Sequence, residues 1–233
     1  ADYRFSYIWY DDREPDSEDL THDFDVAAST EFSPSLQASA SNSLRVAQDP
    51  ELDPNNINRV REEDFLYNST NLGMKYKLTE TLDMAVSGRY LFYRYDEDLV
   101  ADALDRDTVV GGADLLKQIN PTTVGVVSYR IQDTSYGVSE KDSTSHFLFA
   151  GVDHAFTSRL TTSLRAGFEN RDFDSEYRGD DNAPYVDASA TYNLTKKARL
   201  TGGYRLSMSE TDLGRYLKSD HHGIYLQYKQ EIT

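Results

Sequence analysis

The sequence predicts an all-β fold: an antiparallel, up-and-down transmembrane β-barrel, with about twelve strands in this 233-residue segment. Three observations predict it. Apolar and polar residues alternate with period two in stretch after stretch, as they do along strands with one apolar and one polar face. Tight turns alternate with longer acidic loops. A short turn-entry signal recurs at nearly constant spacing.

The elements follow in order. Strand 1 covers about residues 2–10, with Tyr3, Phe5, Tyr7 and Trp9 against Arg4, Ser6 and Ile8. Strands 2 and 3 form the clearest hairpin. Phe24, Val26, Ala28, Thr30 and Phe32 alternate with Asp25, Ala27, Ser29 and Glu31; Ser33-Pro34-Ser35 turns the chain; Leu36, Ala38, Ala40, Leu44 and Val46 alternate with Gln37, Ser39, Ser41, Ser43 and Arg45. Residues 49–63 read as a long polar loop. Strands 4 and 5 flank Thr79-Glu80-Thr81, with Leu72, Met74, Tyr76 and Leu78 on one face of the first and Leu82, Met84, Val86, Tyr90 and Phe92 on one face of the second. Residues 96–107 read as an acidic loop, and strand 6 (about 108–118) is the poorest match because Gly111-Gly112 interrupts mixed faces. Strand 7 places Gly125, Val127, Tyr129 and Ile131 together, although Val124 and Val126 fit the opposite register. Strand 8 offers Leu148, Ala150 and Val152, with Phe147 and Phe149 against that choice. Strands 9 to 12 carry Leu164, Ala166 and Phe168; Val186, Ala188, Ala190 and Tyr192; Leu200, Gly202, Tyr204 and Leu206; and Ile224, Leu226 and Tyr228.

The turn-entry signal is a large apolar residue followed by Ser, Thr or Asn: Phe32-Ser33, Leu78-Thr79, Ile119-Asn120, Phe156-Thr157, Leu194-Thr195 and Ile232-Thr233, spaced by 46, 41, 37, 38 and 38 residues. Two strands, one turn and one loop fill that period. The sixth pair stands at the end of the chain, so the expectation is one β-barrel domain over residues 1–233 that continues into further strands of a larger barrel.

Composition bounds the function. The net charge of −16 argues against nucleic acid, whose phosphates need a basic surface. Segments 11–20, 49–64, 96–107 and 172–181 hold 23 acidic residues, five arginines and no lysine. The acid therefore sits in the predicted loops, and the strands are close to neutral. No apolar run could form a transmembrane helix. There is no cysteine, hence no disulfide framework or thiolate site.

Volume decides which way the faces point. Twelve or more strands enclose a lumen that apolar side chains cannot fill. A polar interior with water and an apolar exterior in lipid resolves this, and closure satisfies the backbone in a bilayer. Short turns on one side and long loops on the other match outer-membrane barrels. A soluble β-sandwich alternates in the same way and is the competing architecture.

The segments THDFDVAASTEFSPSLQ, PTTVGVVSYR, SHFLFAGVDHAFTSRLTTSLRAG and PYVDASATYNLT resemble the outer-membrane β-barrel porins of Verrucomicrobia and related bacteria, the β-barrel porin 2 type. The resemblance covers most of the chain. It implies a Gram-negative envelope location, a porin-like transport role without a settled substrate, and further hairpins after residue 233.

Arg45, Lys75, Arg89, Arg130, Arg165 and Arg205 fall on the polar face as candidate pore-lining cations. Arg89, Arg130 and Arg205 each lie eleven residues after their turn-entry residue, which sets them at similar heights. Asp25, Glu31, Asp153, Glu169 and Asp187 share that face. Either the cations form a ladder that guides anions, or the two signs neutralise one another. Tyr3, Tyr76, Tyr90, Phe92, Tyr192, Tyr204 and Tyr228 are candidates for interfacial girdles in contact with outer-membrane lipid and lipopolysaccharide. The acidic loops read as solvated surface. The five histidines lack metal-ligand spacing, and no nucleophile, phosphate-loop or acid/base motif appears, so neither metal, cofactor nor enzymatic activity is expected. The expected function is passive diffusion of small polar solutes or ions through a charged lumen. The alternative is a non-conducting structural or partner-binding barrel with acidic surface loops. A homo-oligomer is compatible with either.

Overall fold

The computed structural model describes residues 1–9, 11, 18–47, 64–137, 141–175, 180–209 and 219–230. Twelve strands form one sheet: β1 (Asp2–Trp9), β2 (Glu18–Ser33), β3 (Leu36–Ala47), β4 (Phe65–Thr79), β5 (Leu82–Tyr95), β6 (Arg106–Asn120), β7 (Thr123–Tyr136), β8 (Ser143–Ala155), β9 (Leu160–Phe173), β10 (Asp181–Asn193), β11 (Ala198–Ser209) and β12 (Ser219–Gln230). One helix, α1 (Asp98–Leu104), lies between β5 and β6. Every strand pairs with its sequence neighbour, antiparallel, in the order β1 to β12. Among the described residues β1 and β12 do not pair with each other, so the sheet is open there.

The recurrent turn signal has a physical cause. At each short turn the residue after the large apolar one accepts a hydrogen bond from the backbone N–H two positions on. Ser35 N donates to Ser33 Oγ (3.3 Å), Thr81 N to Thr79 Oγ1 (3.3 Å) and Thr122 N to Asn120 Oδ1 (2.9 Å). Arg159 N donates to Thr157 Oγ1 (3.2 Å) and Lys197 N to Thr195 Oγ1 (3.2 Å). A short polar side chain thus takes over a turn N–H that no ladder satisfies. The sixth pair, Ile232-Thr233, and the predicted loop at 49–63 lie outside the described residues.

The register assigns every strand residue to a face, because directly opposed residues share one. The apolar face runs continuously across the sheet, for example through Val86, Ala113, Tyr129, Leu148 and Phe168. This settles β7 and β8: Val127, Tyr129 and Ile131 oppose Ala150, Leu148 and His146, whereas Phe147 and Phe149 oppose Arg130 and Ser128 on the polar face. The apolar run from Phe24 to Phe32 measures about 27 Å at about 3.4 Å per residue. A tilt of about 40° reduces this to about 20 Å, close to the apolar band of an outer-membrane barrel. Its large side chains are exposed, with Phe32 at 69%, Leu72 at 59% and Ile224 at 85%. A soluble protein would bury such a face; lipid covers it here.

Three sequence expectations need correction. Residues 96–107 are not all loop: α1 occupies Asp98–Leu104, and Arg106 and Asp107 already belong to β6. Strand β6 is longer than expected, because Gly111 and Gly112 stay within the ladder, opposite Ile131 and Arg130. Glu18 and Asp19, read as loop, begin β2. The α1 segment has only short apolar spacing, and five acidic neighbours hid it.

Candidate functional site

The polar face carries all the cations expected there, and their partners divide them. Arg45 Nε donates to Asp23 at 2.6 Å, Lys75 Nζ pairs with Asp83 at 2.8 Å, Arg165 with Asp153 at 2.8 Å and Arg205 with Asp187 at 2.8 Å. Glu169 pairs with Arg171 at 2.7 Å and also accepts from Ser145 Oγ at 3.1 Å. Asp25 accepts from Ser43 Oγ and lies 3.7 Å from Arg4, and Glu31 is exposed. Arg89 and Arg130 differ: neither has a carboxylate within ion-pair distance among the described residues. Arg89 donates to Ser69 Oγ (3.1 Å) and Tyr67 Oη (3.3 Å), and the Arg130 guanidinium lies 5.0 Å above the Phe149 ring. Both are exposed. Among the described residues four of the six cations are thus paired with carboxylates and two are not.

Local structure explains how long side chains fit this face. Strand glycines stand beneath them. A Cβ at Gly112 would meet Ser87 Oγ at 2.9 Å and Arg130 Cγ at 3.3 Å; one at Gly151 would meet Arg165 Cδ at 2.5 Å. One at Gly167 would meet Phe149 Cβ at 2.5 Å, and one at Gly203 the Tyr225 ring at 2.5 Å. Each missing side chain lets its neighbour lie across the adjacent strand instead of standing up from the sheet.

At the loop end of the polar face, α1 packs Val100 on Ala47, Phe65 and Tyr95, flanked by Tyr67, Tyr93 and Leu104. The Asp105 carboxylate follows α1 and accepts from Tyr95 N at 2.8 Å. Burial pushes its pKa above the usual carboxylate value; nearby Arg94 opposes the shift, and Asp107 and Asp102 add to it. Lys141 Nζ donates to Ala103 O at 3.2 Å, tying α1 to the start of β8.

The predicted girdle residues all lie on the apolar face. Tyr3, Tyr90, Phe92 and Tyr204 stand toward the loops, and Tyr76, Tyr192 and Tyr228 toward the turns. Sequence reasoning did not single out as site candidates Arg4, Arg171, Phe149 and Tyr185 on the polar face or Tyr129 on the apolar face. One signal was available: of the five Tyr-Arg dipeptides, Tyr3-Arg4, Tyr129-Arg130 and Tyr204-Arg205 put tyrosine on the apolar face and arginine on the polar face. Among the described residues no group of three or more His, Asp or Glu side chains is placed to hold a metal.

A family model described as "Putative beta-barrel porin 2" matches residues 105–227. Among solved structures, the TodX monoaromatic hydrocarbon channel (deltaS2 mutant) is similar, with a TM-score of 0.54 at 12% identity over 93% of this chain and 71% of that one. LpxR from Salmonella typhimurium aligns with a TM-score of 0.45 at 9% identity over 92% of this chain and 89% of that one. At such identities the first likeness concerns the fold alone. No protein of curated function matches the sequence.

Proposed function

The chain belongs to the β-barrel porin 2 family of outer-membrane channels, and we propose that it lets small polar solutes or ions diffuse passively through a lumen walled by the polar face of its sheet. The observation that carries this reading is the pair Arg89 and Arg130, exposed and, among the described residues, without carboxylate partners on a face where Arg45, Lys75, Arg165 and Arg205 are each ion-paired. In a water-filled lumen with low-dielectric walls, two such charges raise the local concentration of anions. The mechanism involves no covalent step. An open edge in lipid leaves backbone groups unsatisfied, so the reading includes closure of β1 and β12, with each other or through further strands of a larger single barrel.

In planar bilayers the full chain is expected to give stable ohmic steps with a preference for anions. Changing both Arg89 and Arg130 to Ala should move the reversal potential toward cation preference, and Arg205→Ala should move it less because Asp187 already offsets that charge. A protein that inserts and never conducts would overturn the channel in favour of a structural or partner-binding barrel.

A further inference from the structure

Each of the six hairpins that point toward the long loops carries a polar bridge on the apolar face. On β1–β2 the Tyr3 hydroxyl meets His22 Nδ1 at 2.8 Å; on β7–β8 Tyr129 meets His146 at 2.8 Å; on β11–β12 Tyr204 meets His222 at 2.8 Å. On β3–β4 Asn42 donates to Asn68 (3.1 Å) and Thr70 (2.8 Å), on β5–β6 Tyr90 donates to Asp107, and on β9–β10 Asn170 donates to Asn182 (3.2 Å). The three Tyr–His bridges share one geometry. Tyr3, Tyr129 and Tyr204 oppose Phe24, Leu148 and Ile224, and each histidine lies two positions nearer the loop on that partner strand.

The three bridges also stand at one height. The ladder row through Tyr3 reaches β7 at Ser135, six positions loopward of Tyr129 and six strands away. The row through Tyr129 reaches β10 at Pro184, while Tyr204 opposes Ala188, four positions turnward and four strands on from β7. The shift is one residue per strand in both cases. With about 3.3 Å per residue and about 4.8 Å between strands, that slope is a tilt of about 35°. In a barrel so tilted, the three bridges lie in a plane parallel to the membrane.

We propose that this ring is a binding belt for the phosphate groups of lipopolysaccharide in the outer leaflet. The long-loop end of such barrels faces outward, so the ring lies on the outer-leaflet half of the apolar face, with Phe5, Tyr7 and Trp9 beyond it on β1. When the tyrosine hydroxyl donates to Nδ1, the imidazole proton sits on Nε2. That N–H has no protein partner among the described residues. It is a donor at headgroup depth, and the acceptors there are phosphate oxygens. Tyr90–Asp107 is excluded from the belt, since its carboxylate repels phosphate, though Arg94 holds it at 2.6 Å. The belt therefore has three sites. It depends on the outer-membrane placement and is independent of conduction.

The full chain in phosphatidylcholine vesicles, doped with diphosphorylated or dephosphorylated lipid A, tests this by counting the lipid A that co-purifies per chain. The wild type should retain the diphosphorylated form preferentially. The His22→Leu, His146→Leu, His222→Leu triple variant should retain it at least about tenfold less, the worth of one hydrogen bond to a charged group at each site. The triple Tyr→Phe variant at 3, 129 and 204 keeps the rings and should fall in between, and His146→Leu alone should lose one site. Equal retention of both lipid A forms by the wild type, or wild-type retention by the variants, would overturn the proposal.

Discussion

Two stretches of the polar face are built differently. On β2–β5 the side chains at mid-height are small and largely exposed: Ala27, Ser29, Ser39, Gly73 and Ser87. On β7–β10 the same face, from mid-strand toward the loops, is filled and largely buried. Phe149 lies 5.5 Å from Tyr185 and under Arg130, and Glu169, Arg171 and Ser145 close into one hydrogen-bonded cluster, with Glu169 only 1% exposed. One wall leaves space and the other holds a packed polar layer. The strand pattern is the same in both, so what separates them is side-chain volume over the glycines and the presence of complete ion pairs.

The largest expected effect lies in the packed wall. Arg171→Ala leaves the Glu169 carboxylate buried with only the Ser145 hydroxyl to hold it. Removing one partner of a buried pair costs about 3–5 kcal/mol, to be read from urea unfolding in vesicles. Ser39→Ala in the open wall should change stability by less than about 0.5 kcal/mol. Equal effects would remove the distinction between the walls.

Next in size are the glycines. Gly167→Ala sets a Cβ 2.1 Å from Leu148 O and 2.5 Å from Phe149 Cβ. The strand must shift or the ring must lift, at about 1–3 kcal/mol, and a lifted Phe149 would also narrow the lumen and lower conductance. Gly88→Ala on β5 meets nothing within 4 Å and should be neutral or slightly stabilising. A third test fills the open wall: Ser39→Phe should reduce single-channel conductance more than Ser189→Phe on β10, where the neighbouring wall is already occupied.

The sequence made much of this legible, for reasons that differ by level. Alternation and turn entry are local, so the twelve strands, and the faces of all but β6 to β8, could be read directly; the Ser33, Thr79, Asn120, Thr157 and Thr195 turn bonds show why that signal was strong. The polar-face membership of Arg89, Arg130, Arg165 and Arg205 was equally local. Which of them are paired was not legible, since Arg165 meets Asp153 and Arg205 meets Asp187 across strands in a register that no single strand specifies. Histidines 22, 146 and 222 looked isolated because their partners lie 17 to 19 residues away, beyond a loop. Helix α1 was hidden because its stability comes from Phe65 and Tyr95 beneath it rather than from its own acidic sequence.

The smallest expected effect concerns that helix and carries the comparison to the mouth of the open wall. The Asp105 pKa is raised in the folded protein, so its protonated form fits the site better than its charged form. The sign follows: its contribution to docking of α1 is fully present below the ordinary carboxylate pKa and is lost as pH rises through the raised folded value. Acidification from neutral pH should therefore tighten α1 against Ala47, Phe65 and Tyr95, seen as slower amide exchange at Ala101 and Asp105, whose N–H groups bond to Glu97 O and Ala101 O. Asp105→Asn mimics the neutral form and should show the slow exchange at neutral pH, with a much weaker response to acid. If the variant and the wild type respond alike, the pH dependence does not come from Asp105.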